Sequence, residues 1–183
     1  MKIHNKLVVL TAGILIAGTF SFKLLNAAWK VNQKDAKITW VMPNGEHNGT
    51  IGGLDATIIF DPANLETGSI TATVEVKSID AGNPKLNGHL QSVDYFDEEH
   101  HHTISFTAEK IIKSETVFVA TGKLAMCDSV HTIDVPFQFI NGEKESTIIG
   151  TIDILASDYG LMKKSNKMAD RVVITIEVPI TKE

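Results

Sequence analysis

The 183-residue chain carries 17 Lys and Arg against 22 Asp and Glu, has 43% apolar residues and contains one cysteine. Lys2, Lys6 and Lys23 are the only charged residues among the first 28, so the rest of the chain holds 14 bases against 22 acids. That acidic excess argues against nucleic acid as a partner and against attachment to anionic lipid headgroups. A lone Cys127 excludes an intramolecular disulfide, so one domain of this size must be held by burial alone.

The chain opens on a secretory pattern over residues 1–28. Lys2 and Lys6 precede an almost wholly apolar run from Leu7 to Phe22, and Ala27-Ala28 offers small residues at a cleavage zone. The run is short for a membrane span, which favours a cleaved signal over an uncleaved anchor. Cys127 lies far from this zone, so no lipid-bearing cysteine begins the mature chain. The expected location is periplasmic or secreted, with residues 29–183 as one domain and no stable membrane insertion after cleavage.

Beyond the signal, apolar and polar residues alternate with a period of two. Ile70-Thr71-Ala72-Thr73-Val74-Glu75-Val76-Lys77 and Ile133-Asp134-Val135-Pro136-Phe137-Gln138-Phe139 are the clearest runs. Such a period means strands with one apolar and one wetted face. Eight strands are predicted, over 36–42, 50–61, 69–80, 103–112, 116–126, 132–140, 146–156 and 171–180. Short turn signals such as Pro43-Asn44-Gly45, Asp61-Pro62 and Asn141-Gly142 imply antiparallel hairpins.

Two connections are longer. Leu86, Leu90, Val93 and Phe96 recur every three to four residues behind Asn83-Pro84, which predicts a short amphipathic helix near 84–96 covering one barrel end. Residues 157–170, rich in Lys, Asn and Met, read as a loop. The fold class is therefore all-β, an eight-stranded antiparallel up-and-down barrel with one short helix. Its inward face is assigned to Trp40, Ile58, Phe60, Val74, Val76, Phe106, Val117, Val119, Phe137, Phe139, Ile152, Ile154, Ile174 and Ile176. Periodicity does not separate a filled interior from a hollow one.

Polar clusters add little chemistry. In Glu98-Glu99-His100-His101-His102, alternation lets His100 and His102 share a face but gives them no third ligand, so no metal site is assigned. Asp128 beside Cys127 disfavours the thiolate. His47 and His131 read as surface residues in turns. No serine elbow, phosphate loop or zinc helix is present, and no cofactor is implied, which points to a binding protein rather than an enzyme.

Four stretches resemble the YceI-like family of exported, lipocalin-shaped proteins, often called polyisoprenoid-binding. They are Gly49-Thr50-Ile51-Gly52-Gly53 running to Phe60-Asp61-Pro62; His89-Leu90-Gln91-Ser92-Val93-Asp94-Tyr95-Phe96-Asp97 with Thr103-Ile104-Ser105-Phe106; Gly122-Lys123-Leu124 leading to Ile133–Phe137; and Gly150-Thr151-Ile152 with Asp158-Tyr159-Gly160-Leu161 and the last strand. The resemblance implies a barrel holding an amphiphile with an extended hydrocarbon tail. Two positions depart from the family pattern: Ala156 where a basic residue is usual, and Asn87-Gly88 in place of a basic-acidic pair.

With the alternation, this makes Trp40, Phe60, Val74, Val76, Phe106, Phe137, Phe139 and Ile152 the candidate lining residues. His89 or the Lys163-Lys164 loop would meet a polar head. The expected function is carriage or sequestration of an isoprenoid or fatty ligand. The alternative is a filled barrel that acts in the envelope or under stress through its surface. A homodimer stays open.

Overall fold

The computed structural model describes residues 28–43, 47–161 and 170–183. Residues 1–27 of the expected signal, Asn44 and Gly45 of the first turn, and most of the 157–170 loop with Lys163-Lys164 lie outside the described residues. Ten strands form one closed antiparallel sheet: β1 (Ala28–Val31), β2 (Lys37–Val41), β3 (Asn48–Ile51), β4 (Asp55–Ile59), β5 (Ser69–Glu75), β6 (Thr103–Ser114), β7 (Val117–Met126), β8 (Ser129–Ile140), β9 (Ser146–Leu155) and β10 (Arg171–Lys182).

The ten strands make eight staves. β1 and β2 both run along β10, with Trp29 opposite Lys182 and Trp40 opposite Ile174, so together they are one interrupted stave. β3 and β4 form the next, pairing with β2 and β1 respectively. β5 to β10 complete the circuit, and the β1–β10 pairing closes it. The expected eight-stranded closed barrel is thus present, with its first two staves broken.

The predicted 50–61 strand is divided at Gly52-Gly53, where Gly53 has φ +64°. A Cβ on Gly53 would collide with the Glu75 side chain, so a residue free of both limits stands there. β1 was not foreseen, because four residues are too few to show a period. β5 stops at Glu75, and Val76–Ser78 is a 3₁₀ turn.

Alternation holds across the barrel, with one local shift of face, in β6, and one strand, β7, whose inward face is the opposite of the expected one. In β6 the inward side passes from Ile104 and Phe106 to Ile111 across a bulge between Ala108 and Lys110, which turns Ile112 outward at 40% exposure. In β7 the inward set is Phe118, Ala120, Gly122, Leu124 and Met126. Val117 and Val119, expected inside, share the outer face with Thr121 and Lys123. Val117-Phe118-Val119 is apolar on both faces, so only the polar residues further along mark which side is wet.

α1 (Pro84–Gln91) is the expected helix, shorter at its C-terminal end. Asn83 caps it by accepting from the Lys85 and Leu86 N–H groups, and Pro84 supplies a preset φ in the first turn. Residues 92–96 follow as turns. Val93 is 74% exposed and leaves the predicted apolar stripe, whereas Phe96 packs on the core.

Candidate functional site

The interior is filled at one end and hollow at the other. At the filled end Phe60, wholly buried, meets Phe118, Phe137 and Phe139 edge-on with ring centroids 4.9, 5.5 and 5.3 Å away. Trp29 abuts Phe139 at 5.3 Å and donates its indole N–H to the Phe60 carbonyl at 2.7 Å. Five aromatic rings thus plug the barrel, each favourable edge contact adding about 0.5–1.5 kcal/mol beyond burial.

Above the plug lies a cavity of about 520 Å³. It exists because small residues occupy inward positions there. Ala56 and Ala72 face each other across β4 and β5, Ala120 lies on β7, and Gly150 lies opposite Phe137. A Cβ at Gly150 would meet neighbours no closer than 3.6 Å, so glycine there enlarges the cavity without being forced by the backbone. The remaining wall is aliphatic and aromatic, including Ile58, Ile70, Leu124, Ile148, Ile174 and Val178. Phe137 belongs to both regions: it stacks on Phe118 at 5.5 Å and forms the cavity floor.

Polar groups gather at the other end. His47, His89 and Tyr95 line the cavity at its rim, with His89 and Tyr95 ring centroids 4.5 Å apart. Thr73 and Ser105 are set lower in the wall, and none of the described lining residues is Lys, Arg, Asp or Glu. A buried charge without a partner is costly, so this lining suits an uncharged, mainly apolar occupant.

α1 covers part of the rim. Leu86, Leu90, Tyr95 and Phe96 point into the cavity although the helix itself has no fully buried residue. It is docked by Asn87, whose carbonyl accepts from the Ala81 N–H at 2.7 Å and whose amide donates to Asp80 at 2.9 Å. The Asn87 hydrogen bond, and after it the Gly82 N–H, hold the Asp80 carboxyl below the usual carboxylate range. Asn87, where the family pattern has a charged residue, therefore ties the cap to the barrel. On the far side the Cys127 thiol faces the Tyr95 and Phe96 carbonyls at 3.8 and 3.7 Å. Burial first, then Asp128 and Asp97, push its pKa up, which suits a packing group rather than a nucleophile.

Of the nine sequence-derived candidates, Trp40, Val74, Phe106, Phe137, Ile152 and His89 line the cavity. Phe60, Val76 and Phe139 do not. Phe60 and Phe139 belong to the plug, and Val76, 1% exposed, is buried in the 3₁₀ turn after β5. Each has the correct apolar character, but alternation carries no information about height along the barrel. Sequence reasoning passed over several large lining residues such as Ile70, Leu124 and Ile148, took His47 for an ordinary surface residue although it lines the rim, and gave no weight to the small residues Ala56, Ala72, Ala120 and Gly150. Their signal was small size at an inward position.

The histidine run forms separate carboxylate pairs. His100 bonds Asp97 at 2.9 Å, His101 lies 3.7 Å from Asp128, and His102 lies 3.5 Å from Glu98. The Asp97 bond, its charge and Glu99 raise the His100 pKa. Ala156, the second departure from the family pattern, is part of the cavity wall and donates its N–H to the Asp170 carbonyl.

A closed eight-stave antiparallel barrel with an apolar cavity under a short helical cap is a lipocalin-shaped architecture. The YceI-like domain model matches residues 29–180, and the chain belongs to that family. Among solved structures, Burkholderia cenocepacia BcnA superposes with a TM-score of 0.76 at 24% identity, covering 82% of this chain and 99% of that one. A Saccharophagus degradans structure, described as a polyisoprenoid binding domain, gives 0.64 at 12% identity over 86% and 99%.

Among curated relatives, a UPF0312 protein of Photorhabdus laumondii is 27% identical over 127 residues, 68% of this chain and 66% of that protein. One from Vibrio cholerae is 23% identical over 120 residues, 62% and 64%. The match to the Vibrio protein thus spans less than two thirds of that relative's length.

Proposed function

We propose that this protein is an exported carrier that takes the hydrocarbon part of an amphiphile into the barrel and leaves the polar head at the rim. The observation that carries this is the cavity itself: about 520 Å³ of apolar space, uncharged among its described lining residues, reaching a rim that presents His47, His89 and Tyr95. A hydrocarbon kept in water costs about 0.8 kcal/mol per CH₂, and transfer into such a cavity recovers much of that. The neighbour described as a polyisoprenoid binding domain supports a lipid-like ligand. The apolar run before Ala27-Ala28 supports export to the periplasm or beyond. The part played by the interior is binding rather than catalysis.

Titration with an apolar fluorescent reporter tests the binding half. Uptake is expected for the wild type, and Ala72→Leu, which extends a side chain into the cavity, is expected to weaken it by about tenfold, or about 1.4 kcal/mol. Equal uptake by both proteins would place the reporter outside the barrel. N-terminal sequencing of the untagged protein from fractionated cells tests the export half, with a mature start next to Ala28 expected and a retained Met1 against it.

A further inference from the structure

Resting on that reading, we infer that the aromatic plug limits the ligand to a tail of about 20 carbons and that Phe137 sets the limit. A dry pocket of ~150 Å³ lined by Leu, Ile and Phe holds one benzene. At the same filling, 520 Å³ holds about 20 carbon atoms. A tail of three to four isoprene units or a common fatty acyl chain fits; a much longer polyisoprenoid does not.

The floor is unyielding because of how it is supported. Phe137 is 3% exposed, stacks on Phe118 and meets Phe60 edge-on, and Phe60 is itself locked by Phe139. Packed interiors resist displacement by even one methylene, so a tail does not push through four interlocked rings. Strand pairing sets the level of the floor: Phe137 stands opposite Phe118 on β7 and opposite Gly150 on β9. One step towards the rim, the inward residues Val135 and Ala120 are paired and both line the cavity. Phe137 is thus the last large ring that a descending tail meets.

The test is a binding series of 1-monoacylglycerols, whose uncharged head suits the rim, with saturated tails from about 8 to about 24 carbons. Displacement of a cavity-bound reporter from the full domain gives the affinity. Affinity is expected to rise by up to about fourfold per added carbon, then to level or fall near 20 carbons. In Phe137→Ala the break is expected to move to longer tails. In Ala120→Leu, which raises the floor and keeps an aliphatic side chain, it is expected to move to shorter ones. The second variant decides the matter if the first fails to fold by circular dichroism.

An affinity that climbs without a break across the series would overturn the length limit. An unshifted break in the folded variants would overturn the role of Phe137 and its level. If no monoacylglycerol displaces the reporter at all, the carrier reading falls with it, a result distinct from either.

Discussion

At the scale of single residues, buried polar atoms and buried rings give opposite predictions. Tyr159 is 2% exposed, its ring meets His131 at 4.9 Å, and its hydroxyl has no partner among the described residues. Burial, and then the charge of Asp158, push its pKa up to about 12. Because the phenol is harder to ionise folded than unfolded, the unfolded chain releases its proton first, and stability that is undiminished below about pH 10 falls as the pH climbs towards 12. Tyr159→Phe is expected to fold within about 1 kcal/mol of the wild type, or above it, because an unpartnered buried hydroxyl contributes desolvation cost and no bond. Urea midpoints measured from neutral to alkaline pH check both points: the variant should lose less stability than the wild type above pH 10.

Phe60→Ala stands at the other extreme. It empties the centre of the plug and is expected to cost about 3–5 kcal/mol, read as a large fall in the same midpoint.

At the scale of elements, the cap and the staves behave differently. α1 lies over the rim without a buried side chain, and Asn87 bridges it to Asp80 and Ala81. Asn87→Ala is expected to speed release of a bound reporter several-fold in stopped-flow displacement while the unfolding midpoint shifts by about 1 kcal/mol or less. An unchanged release rate would show that the cap does not guard the rim. The barrel wall tolerates less. A Cβ on Gly122 would collide with the Thr107 carbonyl oxygen beside the β6 bulge. Gly122→Ala must therefore move a strand and is expected to destabilise the fold, whereas a Cβ at Gly150 meets Phe137, Pro136 and Val135 at an ordinary 3.6 Å, so Gly150→Ala is expected to be mild.

The same elements mark what the amino-acid order made readable. Alternation identified the long staves β5 to β10 and the inward face of all of them but β7, because a period of two repeats often enough there to be read. It missed β1 and the break at Gly52-Gly53, where the pieces are four or five residues long. It also misplaced Val117 and Val119, where both faces are apolar. Phe60 and Phe137 were indistinguishable as inward phenylalanines, yet both belong to the plug and only Phe137 also faces the cavity. That difference depends on the stagger between strands, which sets which side chains share a level and which leave a gap.

At the scale of the whole molecule, the barrel divides into a packed half and a hollow half. Trp29, Phe60, Phe118, Phe137 and Phe139 close one end and provide rigid packing, so the other end can hold empty apolar volume without a disulfide. The resemblance to YceI-like proteins, supported by the family match over residues 29–180, correctly anticipated the closed barrel. The partition of its interior follows from which side chains stand at each level.

Native mass spectrometry of the untagged protein, taken detergent-free from its own envelope fraction and again after incubation with a monoacylglycerol, tests the carrier claim most directly. The account predicts a non-covalent adduct of a few hundred daltons, the mass of a head plus about 20 carbons, which disappears under denaturing conditions. The apo mass alone in both samples would contradict it.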